Sequence, residues 1–300
     1  MINNLLVTYI FVFSTISIFF LNFFFKDVLF SNYTNQFIFF LLPLIWPGVA
    51  HGSLDYEVGK KIGLIKKNYQ SILFFMAYVS IAVSFSIFWF FLPNISLLIF
   101  LTFSIFHFGS SDQVFLIEKK IQFFEIILRG SIPILIPIFF HKEKVYEIFE
   151  LLFVDYLFLE KIFPFFYYCN FLLIPIFFYI LFFLLKNNQI PIQKKSIFLI
   201  EIFFMIFCFV LFEPLISFSI YFCFLHSIRH LINEKNNLKL STLKVILKTL
   251  PLTFLTIISL FFIFLFIENY EYKFISILFI SLASLTIPHM YLVFLSRKSQ

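Results

Sequence analysis

Ten apolar runs, each long enough to cross a bilayer and each parted from the next by a short polar loop, dictate what this chain can fold into. Hydrocarbon holds no water to satisfy backbone N–H and C=O groups, so only helices and closed barrels span it. Runs of about 20 residues suit helices, whereas barrel strands need only roughly 9–11. The spans read as 5–25, 35–57, 69–92, 94–117, 121–140, 162–185, 196–212, 214–232, 243–267 and 273–296. The expected fold class is therefore all-α, a polytopic transmembrane helical bundle of about ten helices forming one integral membrane domain over residues 1–300. Between the fifth and sixth spans, residues 141–161 (HKEKVYEIFELLFVDYLFLEK) mix charges with apolar residues, the pattern of a helix lying in the membrane interface.

Composition agrees, with 62% hydrophobic residues against 13% charged and a mean hydropathy of +1.01, outside the range of soluble domains. Phe occurs 54 times and Ala four times, a bias that AT-rich coding produces, so Phe alone marks no binding stripe. The net charge of +6 does not form a face for nucleic acid, because the lysines sit in short loops as topology signals do. Cys169, Cys208 and Cys223 lie in apolar stretches without C-x-x-C spacing and read as small core residues. The first run has no basic residue before it and no small-residue cleavage site after it, so it is expected to stay attached as the first span.

Loop charges orient the bundle. Lys60, Lys61, Lys66, Lys67, Lys119, Lys120, Lys186, Lys194, Lys195, Lys235, Lys239, Lys244, Arg297 and Lys298 fall on one side, fourteen in all. The other side holds Lys26, Lys142, Lys144, Lys161 and Lys273, with most of the loop carboxylates, including Glu213, Glu268 and Glu271. The positive-inside rule then predicts cytoplasmic N- and C-termini in a multi-pass protein of the cell membrane.

Five of the six histidines lie inside apolar runs: His51, His107, His226, His230 and His289. An ionisable side chain costs free energy in a bilayer, so a set of them points to a metal or a reaction. All five fall on the four spans that run inward, between five and twelve residues before the basic residues of the inner loops. At 1.5 Å per residue this is roughly 8–18 Å above the inner boundary, one shared depth. His226 and His230 are four apart and project from one helix face, so both can grip one ion. Imidazole suits iron, copper, zinc and nickel alike, and does not choose among them. His141 lies among charges in the interfacial segment and is read as a hydrogen-bonded packing residue, not a ligand.

Asp55 follows His51 by four residues and Asp112 follows His107 by five. Either can orient a ligating imidazole across helices, or simply mark the cytoplasmic end of its own helix. Arg229 can neutralise such an aspartate or snorkel to the surface. Glu125 and Arg129 are spaced to pair within one helix, while Glu201 and Lys248 are read as snorkelling near helix ends. Gly48, Gly52 and Gly109 allow close helix approach, and Pro47 and Pro288 bend their helices beside the histidines.

HGSLDYE, HFGSSD, HSIRHLI and PHMYLV, in this order from about Trp46 to Val293, resemble the Brp/Blh family of membrane β-carotene 15,15'-dioxygenases. The resemblance implies that His51, His107, His226 and His230 are ligands of a catalytic iron, Fe(2+), and leaves His289 as a site residue without an assigned role. It implies β-carotene and O2 as substrates, two all-trans-retinal as products, and no side-chain acid, base or nucleophile. A membrane lipid environment and a functional link to a retinal-binding rhodopsin follow as expected partners. Many relatives carry Ala and His where this chain has Ser53 and Tyr56, which removes any role for a histidine at that second position. Two rival classes remain on sequence alone: another His-metal membrane oxidoreductase acting on a lipid, and a proton-coupled transporter. An upright carotenoid would put its central bond at the midplane, above the histidines, so lateral entry and a tilted or nearly flat substrate are expected.

Overall fold

The structure, a computed structural model, describes residues 2–115, 118–266 and 272–298. Glu268 and Glu271 lie outside the described residues. The helices are α1 (Ile2–Leu29), α2 (Tyr33–Pro43), α3 (Asp55–Lys61), α4 (Asn68–Phe91), α5 (Pro93–Asp112), α6 (Lys119–Phe140) and α7 (Lys142–Leu151). They continue as α8 (Tyr156–Lys186), α9 (Ile192–Leu211), α10 (Pro214–Ile220), α11 (Ile228–Asn237), α12 (Thr242–Phe266) and α13 (Lys273–Lys298). A π turn, Leu44–Gly48, and a 3-10 stretch, Val49–Leu54, join α2 to α3, and a π turn over Tyr221–Ser227 joins α10 to α11, so each pair makes one span.

Each of the ten expected spans coincides with helix among the described residues, although the fourth is shorter than expected, α5 ending at Asp112, and no strand occurs among those residues. Nine helical stretches among them are long and apolar enough to cross a membrane, which makes this a multi-pass membrane protein. The tenth, α9, is 20 residues long but carries Lys194, Lys195 and Glu201. The interfacial helix is shorter than residues 141–161: α7 stops at Leu151, and Phe153 takes a left-handed conformation (φ 67°) that a right-handed helix cannot continue through. Asp155 then starts α8 by accepting the Leu157 N–H at 2.7 Å.

α5 and α6 cross at two glycines. A Cβ on Gly109 would sit 1.9 Å from the Ile126 carbonyl oxygen, and one on Gly130 would sit 1.8 Å from that of Ile105. The two backbones thus touch, which small residues permit in membrane helices. Gly130→Ala is expected to cost about 1–3 kcal/mol by forcing the helices apart; a melting temperature in detergent equal to wild type would refute the backbone contact. Gly52, by contrast, has no neighbour within 4 Å of such a Cβ.

The opposite flank of α5 and α6 meets a fully buried charge network. Arg129 donates through Nε to Glu125 and through Nη1 to Glu201, both at 2.8 Å. Glu125 also accepts the Val114 and Phe115 N–H groups at 2.8 and 3.0 Å, fastening the chain just beyond α5. Arg229 of α11 donates to the other oxygen of Glu201, which Thr8 of α1 also contacts. Glu201 therefore does not snorkel: it is 0% exposed and bridges two guanidinium groups, because mid-bundle placement leaves it no path to water. Lys248, by contrast, is partly exposed and donates to Glu57 at 2.6 Å. Cys208 and Cys223 are buried and Cys169 is half-buried.

Candidate metal centre

The span that carries His51 is not a straight helix. Trp46 leaves helical geometry (φ −144°, ψ 118°) between Pro43 and Pro47, and the chain resumes as a 3-10 stretch that turns His51 inward. His51 donates through Nδ1 to the Gly48 carbonyl. His107 comes from the last turns of α5, His226 from the π turn before α11, His230 from α11, and His289 from α13 just after Pro288. A π turn widens the helix locally and is frequent at functional sites.

These four spans bring all five imidazoles together. Ring centroids lie 5.2–5.5 Å apart for His51 with His226, His230 and His289. His107 lies 5.0 Å from His226 and 5.1 Å from His289, and His230 lies 4.9 Å from His289. Ring nitrogens of His51, His107 and His289 all fall within 4.8 Å of one another, close enough to hold one metal ion. Both ring nitrogens of His226 and of His230, and Nε2 of His289, are buried with no hydrogen-bond partner. Buried polar atoms left in that state normally cost about 1–3 kcal/mol each, and a metal ion that took one lone pair from each ring would remove the cost at one nitrogen per imidazole. The residues present thus fit a metal. His141 stays apart, its Nε2 donating to the Val210 carbonyl at 3.1 Å.

Both aspartates reach across helices to histidines. Asp55 holds Nδ1 of His289, 2.9 Å from each carboxylate oxygen, and also accepts the Tyr78 hydroxyl at 2.8 Å. Asp112 has one oxygen 3.5 Å from Nδ1 of His226 and accepts the Tyr221 hydroxyl at 2.7 Å. Arg229 neutralises Asp112, with Nη1 3.6 Å from Oδ1 and 3.0 Å from its backbone oxygen. Neither tyrosine carried a signal in the sequence, since Phe and Tyr fill these runs throughout. Glu201 did carry one, a carboxylate at the centre of an apolar run, which marks a buried partner as readily as a snorkelling end.

Phe108 and Phe222 wall the imidazoles, Phe108 meeting the His226 ring edge-on at 4.8 Å. Beyond them opens an apolar cavity of about 360 Å³, with His51, His107 and His289 at one end. It extends along α4 from Phe74 to Ser86, about 18 Å at 1.5 Å per residue. Val79 and Val83 of α4 and Leu255 and Ile263 of α12 line the cavity while remaining exposed, so it opens sideways between those two helices. Ser53 and Tyr56, the departures in the first motif, are absorbed locally by Thr253 at 3.0 Å and Ser71 at 2.9 Å.

The fold and site define a class of multi-pass helical membrane proteins in which buried imidazoles, grouped closely enough to hold a metal ion, line a mainly apolar cavity. The family model for beta-carotene 15,15'-dioxygenase matches residues 42–296, which include all five clustered histidines, and the chain belongs to that family. It is similar to the beta-carotene 15,15'-dioxygenase of the uncultured marine bacterium 66A03, 28% identical over 191 residues. That match spans 63% of this chain and 66% of the relative. No solved structure matches the chain.

Proposed function

We propose that this protein cleaves β-carotene at its central 15,15' double bond with O2, giving two molecules of all-trans-retinal, with Fe(2+) held by His51, His107, His226 and His230. The observation that carries this reading is the meeting of five buried imidazoles at the end of a cavity whose lining is mainly apolar. Iron in a set of neutral nitrogens supplies a centre at which O2 binds and is activated.

The remaining work falls to this chain's side chains. Aromatic and aliphatic walls bind a polyene by burial and keep water from the reacting bond. Asp112, fixed by Tyr221 and Arg229, places its charge 3.5 Å from Nδ1 of His226, which favours the tautomer protonated on that nitrogen. The opening between α4 and α12 admits a substrate that already resides in lipid, so no passage through water is needed. The basic inner loops support cytoplasmic termini and insertion in the cell membrane. Retinal released there suits a retinal-binding rhodopsin of the same membrane.

Expression in a bacterial host that accumulates β-carotene tests the assignment. Loss of orange colour with retinal in the extract is the expected result. Persistent colour in cells whose membranes contain the protein would refute it.

A further inference from the structure

His289 stands outside the four-histidine set implied by sequence resemblance, yet its surroundings are those of a ligand. It is 3% exposed in the middle of the bundle, and its two ring nitrogens have opposite fates. Nδ1 is committed to Asp55, at 2.9 Å from both oxygens, while Nε2 is buried and has no partner at all. If the pair were only a structural tie between α3 and α13, Nε2 would be stranded at a cost for no return. A carboxylate on one ring nitrogen is instead how proteins fix the tautomer and aim of an imidazole whose other nitrogen binds a metal.

The company the ring keeps is also that of a ligand. Ring nitrogens of His51, His107 and His289 are mutually within 4.8 Å, and these three are the histidines that line the cavity. His226 and His230 pack behind them and do not line it. Tyr78 completes the arrangement from α4: its hydroxyl donates to Asp55 at 2.8 Å, so a third helix holds the carboxylate in place.

We propose that His289 is an inner ligand of the metal, positioned by Asp55 and Tyr78, and that with His51 and His107 it forms the face of the centre turned toward the cavity. This rests on the metal-centre reading above. It makes Asp55 a positioning residue that acts through His289, and it gives the PHM motif a physical task.

The test reads metal rather than cleavage. Wild type, His289→Ala, Asp55→Asn and Tyr78→Phe are purified in detergent, loaded with iron(II) or with cobalt(II) as a spectroscopic probe, and titrated with a chelator. His289→Ala and Asp55→Asn are each expected to weaken metal retention by at least about 10-fold, within or beyond the 10–100-fold typical of lost outer partners. The cobalt(II) visible bands of His289→Ala are expected to shift with the loss of a nitrogen, and Tyr78→Phe to weaken retention less than Asp55→Asn does. Wild-type retention together with an unchanged cobalt spectrum in His289→Ala would overturn the proposal. Should His289→Ala fail to accumulate as a monodisperse protein, Asp55→Asn decides: weakened retention supports the proposal, and wild-type retention overturns it. A wild-type protein that binds neither metal would overturn the metal-centre reading itself, an outcome distinct from a metal-binding wild type indifferent to His289.

Discussion

Replacing His226 by alanine is expected to abolish iron retention and carotene bleaching together. His226 is 0% exposed, sits between His51 and His107 at 5.5 and 5.0 Å, and has no hydrogen-bond partner on either ring nitrogen. Its removal deletes a nitrogen from the centre and leaves a hole beside Phe108 and Phe222, which water enters. The expected loss of metal affinity exceeds the roughly 10–100-fold that an outer partner's removal costs. Tyr221→Phe serves as the graded comparison, since it takes away one of the groups that hold Asp112 and no ring nitrogen. Metal content per chain, measured on detergent-purified protein, checks both. An alanine variant that keeps full iron and full bleaching would remove His226 from the site.

Arg129→Met is expected to destabilise the bundle by about 3–5 kcal/mol, the penalty for leaving a buried charge without its partner. Arg129 is 0% exposed and is the only residue described that bonds both Glu125 and Glu201. Without it, Glu125 retains only the Val114 and Phe115 N–H groups, and Glu201 retains Arg229 and Thr8. Adding Glu125→Gln to Arg129→Met neutralises the stranded carboxylate and should recover part of the loss. Thermal denaturation in detergent checks the series. If the single variant melted with wild type, the network would contribute nothing to stability.

Much of this was legible in the chain. Apolar length alone located every span, because the bilayer demands long helices and short loops punctuate them. The shared depth of His51, His107, His226, His230 and His289 followed from counting residues to the nearest inner lysine or arginine, and the structure brings all five together. What counting along the chain does not reach is lateral. Asp55 and Asp112 could be assigned to histidines only once α13 and the turn over Tyr221–Ser227 were placed beside them. The breaks at Trp46 and at Tyr221–Ser227 were hidden as well. Pro43, Pro47 and Gly48 announced the first, but CFLHSIRHL contains no residue that forbids an ordinary helix. Glu201 shows the same limit from the other side: its neighbours in sequence are apolar, and its guanidinium partners lie 72 residues before it and 28 after it.

The charge carried by α9 bears on how the molecule is made. A 20-residue segment with two lysines and a mid-span carboxylate partitions poorly into lipid on its own, each central charge opposing insertion by about 2.5–3.5 kcal/mol. During synthesis Arg129 has already entered the membrane when Glu201 emerges, whereas Arg229 is still to come. Membrane insertion of α9 is therefore expected to depend on α6: in chains truncated after residue 212, glycosylation mapping should find α9 inserted with Arg129 present and excluded with Arg129→Leu. Arg229 then arrives as the second clamp and draws the HSIRHLI segment against α5. On this account the order of biogenesis is written into the pairing, and the histidine centre closes only when α13 brings His289 to it.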